Sequence, residues 1–406
     1  MRAAFAAAVL GAFTVAQAQD KPAASPPPSW HQGKPPAQSE STLHPFAPHM
    51  TGRSAKDLPV NTLKVPAGFK VEVWAEGIPE ARSLAMGDKG TVFVSNRNAK
   101  NVYAVVDSGG KREVKTVLKG LDSPNGIVFT KGTLYVAERG RITRYDGIES
   151  KLDQPGEGKV VVDNLDPNRQ AGHFWKFLAL GPDGKLYFNI GAPGNIVMPT
   201  YLEASIMRVD PAKGVLETVA LGVRNSVGMD FNPKTKELWF TNHGRDWLGD
   251  DLPNDTLHRV SAKTVPNFGY PFCHQGDIQD PEFGKHRSCA EFAKPVLKLG
   301  AHIAPLGMRF YSGKMFPAEY QNNIFIAMHG SWNRTTKQGY NVTRVTVDDK
   351  GQAKMQPFVT GFLTDDKGDP PMWGRPVDLL VMKDGSLLFS DDYNGILYRV
   401  TYSKGK

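Results

Sequence analysis

Several short stretches of the chain carry side chains suited to catalysis or ligand binding. His173 lies in Ala171-Gly172-His173-Phe174-Trp175-Lys176; a neutral imidazole titrates near working pH and is a natural general base. Arg224-Asn225 sets a guanidinium beside an amide, a pair suited to an oxyanion or to a carboxylate-bearing ligand. His243-Gly244-Arg245-Asp246 is followed by Asp250, Asp251 and Asp255. Clustered carboxylates and exposed backbone carbonyls suit a hard cation such as Ca²⁺, although the spacing is not that of an EF-hand loop. His302 stands alone, His329 opens His329-Gly330-Ser331-Trp332-Asn333-Arg334, and Arg375 follows Gly374. Each residue also has a plainer reading: a hydrogen-bonded loop histidine, a salt bridge between loops, a solvated acidic turn. What favours chemistry is that they recur at matching points of a repeat, which brings them to one axis.

That repeat begins after Leu58. A β-rich run follows a turn six times: Thr91-Val92-Phe93-Val94, Thr133-Leu134-Tyr135-Val136, Lys185-Leu186-Tyr187-Phe188, Glu237-Leu238-Trp239-Phe240, Asn323-Ile324-Phe325-Ile326 and Ser386-Leu387-Leu388-Phe389. Most follow Gly or an Asp-Gly turn, as in Pro182-Asp183-Gly184. Upstream recurs a second piece, such as Pro124-Asn125-Gly126-Ile127 or Arg375-Pro376-Val377-Asp378-Leu379, and a closing run such as Ile142-Thr143-Arg144-Tyr145 ends the unit. One four-stranded sheet cannot bury both its faces, but a closed ring of sheets can. Six copies at a period of roughly 40 to 60 residues therefore predict an all-β, six-bladed β-propeller over residues 58–406. The six runs read as inner strands, which puts His173 ahead of one of them and His329 directly after the fifth, near the mouth of a central channel. Between copies four and five the spacing stretches, and residues 267–300 insert a long loop holding Cys273 and Cys289. Long loops on such a ring gather on the ligand-binding face.

Residues 1–18 read as a signal peptide, with Arg2 as the positive end, Ala3 to Val15 as the apolar core and Ala16-Gln17-Ala18 as the cleavage site. Residues 19–57, rich in Pro, Ser, Gln and His, read as a flexible or surface-draped lead. A periplasmic or secreted protein with two close cysteines is expected to join them in a disulfide. Closing a loop of about 15 residues contributes on the order of 3 kcal/mol, less any strain. No CxxCH motif occurs, so no covalently attached haem is indicated. Beyond the leader no stretch approaches the roughly 18 apolar residues that span a bilayer, so no membrane span is expected. The formal charge of +8, about +7 without Arg2, is scattered among Asp and Glu. Nucleic-acid binding wants a basic stripe with interleaved aromatics; none is visible, and no nucleic-acid partner is expected.

Gly172-His173, Leu221-Gly222-Val223-Arg224-Asn225, His243-Gly244-Arg245, Asn267-Phe268-Gly269-Tyr270-Pro271 and Gly374-Arg375 fall in one order and spacing. In that order and spacing, from about Leu58 to Thr401, the chain resembles the soluble glucose/sorbosone dehydrogenases, six-bladed propellers that use pyrroloquinoline quinone with Ca²⁺. Gly330-Ser331-Trp332-Asn333-Arg334 is more similar to the sorbosone-dehydrogenase branch than to the glucose branch. The resemblance implies that His173 is the base that takes the sugar hydroxyl proton as hydride passes to the quinone. It implies that Arg224 faces the quinone carbonyl, that Asn225 and Arg375 contact the cofactor, and that Gly244 and Arg245 hold its Ca²⁺ through backbone carbonyls. The expected activity is oxidation of an aldose or sorbosone-like sugar, with electrons handed to an external acceptor.

Three positions depart from the glucose branch. Ala192 stands where an acid orients the base, Gly172 replaces an acidic neighbour of the base, and His329 occupies the place of a cofactor-binding lysine. Asn195 is the nearby residue expected to orient His173 in place of the missing acid. Two further classes compete with the dehydrogenase. A calcium-dependent lactonase of the gluconolactonase type wants a carboxylate-rich channel, and a non-catalytic propeller keeps the blades alone.

Overall fold

The computed structural model describes residues 27–167, 172–200, 202–261 and 264–404; the leader 1–18 lies outside the described residues. Six four-stranded antiparallel sheets form a ring of blades. Residues 84–118, 127–162, 178–221, 229–301 and 305–359 make blades one to five in turn. Blade six takes three strands from residues 376–402 and its outermost strand, Phe69–Ala75, from near the start of the propeller. There Phe69 pairs with Tyr402, and the ring is closed by a strand from the other end of the chain. No α-helix occurs among the described residues, and none is long and apolar enough to cross a membrane.

The innermost strands are Leu84–Met86, Ile127–Thr130, Leu178–Leu180, Met229–Phe231, Pro305–Phe310 and Pro376–Val381, which touch one another in cyclic order. The six apolar runs that the sequence suggests as inner strands are instead the second strand of each blade, and the upstream pieces supply the innermost ones. The reason is burial. A second strand is covered on both faces, so alternate residues enter different cores. Val92 and Val94 pack between blades six and one, while Phe93 packs between one and two. Leu238 and Phe240 pack between blades three and four, while Trp239 packs between four and five. Apolar clusters of this kind fill all six blade interfaces. The channel axis is left to polar side chains.

The long loop that begins near Asn267 belongs inside blade four, between its third strand Asn254–Val260 and its outer strand Leu297–Ala301, rather than between blades. It carries the short ribbon Cys273–His274 with Ile278–Gln279 and the expected disulfide, Cys273 to Cys289, with Cα atoms 5.4 Å apart.

Residues 29–53 of the lead lie across the propeller. Trp247 Nε1 donates to the Trp30 carbonyl at 2.7 Å, and Asn195 Nδ2 donates to the Gln32 carbonyl at 3.0 Å. Further along, the His49 N–H donates to Tyr393 O at 3.2 Å and the Arg53 N–H to Asn394 O at 2.8 Å.

Candidate active site

His173, Arg224, Asn225, Gly244, His302, His329 and Arg375 all line one cavity of about 240 Å³. The turns before inner strands and after second strands supply them, which is why they recur along the chain and meet at the axis. Arg245 is the exception. Its side chain turns into the blade-four loop, where Nη1 meets Asp280 at 2.6 Å, and only its backbone stays beside Gly244.

His173 is held by the residue that the missing acid would have occupied. Its ring Nδ1 and its backbone N–H both donate to the Ala192 carbonyl, at 3.0 and 3.1 Å. A carbonyl can only accept, so the proton sits on Nδ1 and Nε2 keeps its lone pair. Burial, with Arg224 nearby, pushes the imidazole well below its ordinary pKa, so it is neutral at pH 7. Asn195 does not orient it, which corrects that expectation: its amide binds Gln32 and the Asp246 carbonyl, and its Oδ1 accepts from Arg224.

Two of the three departures, Gly172 and Ala192, have steric causes. Gly172 has φ +110°, and a Cβ there would lie 2.5 Å from the Pro193 carbonyl, so an acidic side chain does not fit. The Ala192 side chain is fully buried against Ile196, Ala204 and Tyr270. Ala192→Asp should therefore destabilise the fold by on the order of 2–4 kcal/mol without improving the base, because the carboxylate enters an apolar cluster. Thermal unfolding and turnover of that variant decide it: an unchanged melting temperature with faster turnover would mean the side chain reaches His173.

Arg224 donates through Nε to Asn195 O at 2.8 Å, and through Nη2 to Asn195 Oδ1 at 2.9 Å and Asp246 Oδ2 at 3.0 Å. Beside it, His243 Nε2 donates to Pro305 O at 3.0 Å, so His243 Nδ1 is the acceptor for the Asn225 amide at 3.0 Å. Burial pushes His243 down to about 4. This chain of bonds fixes the Asn225 amide with its Oδ1 open.

His329 lines the cavity with both nitrogens engaged. Nδ1 accepts from Arg375 Nη2 at 2.8 Å, and Nε2 donates to Asp392 at 2.9 Å. Burial and the adjacent Arg375 push its pKa down to about 3. Asp392 also meets Arg82 at 2.7 Å. Burial alone would raise the Asp392 carboxyl, but His329, Arg375 and Arg82 hold it well below the carboxylate range.

Among the cavity residues that escaped the sequence reading are four of the propeller's own polar or aromatic side chains, Arg82, Arg97, Trp175 and Asp392. Arg82 precedes an inner strand as Arg224 and Arg375 do, and Arg97, His243, His329 and Asp392 each directly follow a second strand. Aligning all six units at those two points would have found them. Arg97 stacks on Trp175 at 4.8 Å, and the Trp175 ring lies 6.0 Å from that of His173.

The residues present fit an anionic, aromatic cofactor. Arg82, Arg97, Arg224 and Arg375 face the carboxylates of Asp246, Asp255 and Asp392, and burial pushes Asp255 up to about 6. Two buried polar atoms of lining residues have no partner, the acceptor Asn225 Oδ1 and the donor Trp175 Nε1. Each costs about 1–3 kcal/mol unless something completes it. Among the described residues, no hydrogen bond reaches the Gly244 or Arg245 carbonyl oxygen, and of the two residues Gly244 lines the cavity.

A six-bladed propeller whose axial cavity joins a pre-oriented imidazole to several guanidiniums defines a class of channel built for an anionic ligand. Residues 63–403 match the TrAA12-like family model, and the chain belongs to that family. It is 34% identical over 356 residues to an uncharacterised protein of Borreliella burgdorferi, across 85% of this chain and 92% of that one. It is 24% identical over 335 residues to a pyrroloquinoline quinone-dependent pyranose dehydrogenase of Coprinopsis cinerea, across 70% of this chain but only 44% of that protein. The holo form of the PQQ domain of the Coprinopsis cinerea pyranose dehydrogenase superposes with a TM-score of 0.72 at 20% identity, covering 84% of this chain and 97% of that domain. The soluble aldose sugar dehydrogenase of Escherichia coli, in its apo form, superposes with a TM-score of 0.62 at 18% identity, covering 82% and 100%. At such identities these superpositions establish the shared fold. With the family match, they bear out the resemblance to the soluble quinone-dependent sugar dehydrogenases that the motifs carry.

Proposed function

We propose that this chain is a periplasmic or secreted quinoprotein dehydrogenase that oxidises an aldose or sorbosone-like sugar, using pyrroloquinoline quinone and Ca²⁺ and an external electron acceptor. The observation that carries this reading is His173: a half-buried neutral imidazole, fixed by the Ala192 carbonyl, with Nε2 open among four cavity-lining arginines. Arg224, Asn225 and Arg375 would hold the cofactor, with His329 positioning Arg375 from behind. The Gly244 and Arg245 carbonyls would hold the Ca²⁺. When bound, the quinone supplies a two-electron acceptor that no side chain of the protein can replace.

The chain's own residues do the rest. His173 Nε2 takes the hydroxyl proton of the sugar, and the Nδ1–H bond to Ala192 O keeps the ring from turning as charge develops. Arg224 lies close enough to depress the His173 pKa, and in the same place it stabilises a developing oxyanion. Trp175 and Trp332 give the cavity aromatic walls. The lactonase alternative needs several carboxylate or histidine side chains converging on a cation, and among the described residues no three do so.

The test uses protein recovered from the periplasm, whose intact mass should correspond to a start near Gln19 with Cys273 and Cys289 joined. Adding quinone with Ca²⁺ should produce a bound-quinone absorption spectrum that sugar bleaches, and chelation should release the quinone until Ca²⁺ is restored. A spectrum insensitive to the protein, or a bound quinone that no aldose or aldosulose reduces, would reject the assignment.

A further inference from the structure

The lead takes part in the cavity as well as lying over the ring. Pro45, Phe46 and Pro48 line the same cavity as His173, Arg224 and Arg375, although the propeller repeat does not require them. Arg375 Nη1 donates to the Phe46 carbonyl at 2.8 Å, while its Nη2 is held by His329. One guanidinium edge at the cavity is therefore engaged by the lead.

The segment is anchored on both sides. Trp30 and Gln32 are tied to Trp247 and Asn195. His49 and Arg53 are tied to Tyr393 and Asn394. At that end Gly52 packs so closely that a Cβ on it would lie 2.6 Å from the Gly77 Cα, which fixes the chain there. Between the anchors one side chain does most of the holding. Phe46 packs half-buried against the apolar cluster between blades five and six, with the Lys337 ammonium 5.9 Å from its ring, whereas Ala47 is exposed and His44 meets Asp369 at 3.5 Å in an exposed pair.

With the lead seated, the cavity is about 240 Å³, below the roughly 300–1,000 Å³ of small-molecule sites. A carboxylate brings a full opposite charge and can take two guanidinium N–H groups at once, whereas the Phe46 carbonyl is a single neutral acceptor. We infer that residues 45–48 form a lid on the channel: the Phe46 carbonyl holds it shut through Arg375, and an anionic ligand opens it by taking that N–H. The functional reading enters only in naming that ligand as the quinone.

The test compares the full-length parent with Phe46→Gly and, separately, Pro48→Gly, each checked for an intact fold by circular dichroism. p-Hydroxyphenylglyoxal modification of Arg375, followed by peptide mass spectrometry, reads the lid without any cofactor. Association of pyrroloquinoline quinone with Ca²⁺, followed by stopped flow, reads the gate. Both rates scale with the open fraction and should rise about fivefold or more in the variants, while modification of the surface residue Arg208 stays constant. Equal Arg375 reactivity in parent and variants, or quinone that does associate but at the same rate with all three proteins, overturns the lid. Faster Arg375 modification with no quinone association in any of the three proteins overturns the functional reading and leaves the lid standing.

Discussion

His173→Ala should slow sugar-dependent reduction of bound quinone by about 10²–10⁴-fold, the range for losing a positioned general base. Quinone binding should survive, because His173 gives its one fixed hydrogen bond to Ala192 while Arg224 and Arg375 carry the charge at the cavity. The pH dependence separates this base from an ordinary histidine. Burial and Arg224 lower the His173 pKa, so the unprotonated, competent form persists below the ordinary histidine value of 6.5. The acid limb of kcat/KM should therefore fall below pH 6.5, and activity should be flat from there upward until another group titrates. Single-turnover stopped flow on parent and variant gives both results. Parent-like reduction in His173→Ala would remove His173 from the chemistry, and an acid limb above pH 6.5 would contradict a desolvated, arginine-flanked imidazole.

The blade count was legible because second strands are buried on both faces and so read as unbroken apolar runs, as Leu186-Tyr187-Phe188 does. The rank of those strands was not. Innermost strands such as Leu84–Met86 and Met229–Phe231 are only three residues long, too short to carry a periodic signal of their own. Outer strands such as Lys111–Leu118 alternate exposed and buried positions, and their charge hides them among turns. The channel residues with motifs around them, His173, Arg224, Asn225, Gly244, His329 and Arg375, do meet in one cavity.

What orients His173 was beyond sequence, since its partner is a backbone carbonyl and any residue type at 192 supplies one. The structure explains the substitution pattern in the same stroke. With Gly172 pinned at positive φ against Pro193, and the Ala192 side chain facing an apolar cluster, a carboxylate has no place beside this base. The lead was illegible for a different reason: its composition is that of a solvated tail, and its attachment depends on single backbone bonds such as Phe46 O to Arg375.

Asp392→Asn should cost about 3–5 kcal/mol of folding stability, the range for removing one partner of a buried ion pair. Asp392 and Arg82 are almost fully buried, at 2% and 3% side-chain exposure, and the same carboxylate accepts from His329, which in turn holds Arg375. Neutralising it leaves two guanidiniums facing each other without their common counter-charge. For a domain of this size the melting temperature should fall by about 5–10 °C at neutral pH. The sign of the pH dependence follows from the depressed carboxyl pKa. The stability that Asp392 contributes is complete above its unfolded value near 3.9 and is lost only as pH falls through the folded value. The gap between parent and variant should accordingly be constant from about pH 5 to 8 and narrow only in stronger acid. A gap near zero at pH 7 would show the network to be energetically idle. A double variant, Arg82→Met with Asp392→Leu, removes charge from both sides and should recover much of the loss, as apolar replacement of buried pairs does. Quinone affinity should stay low in that double variant, because the cavity has lost Arg82 as well as the His329–Asp392 relay that aims Arg375. Recovery of stability there assigns the carboxylate its structural role through Arg82, and weaker quinone binding in Asp392→Asn, where Arg82 is kept, assigns its positioning role through His329.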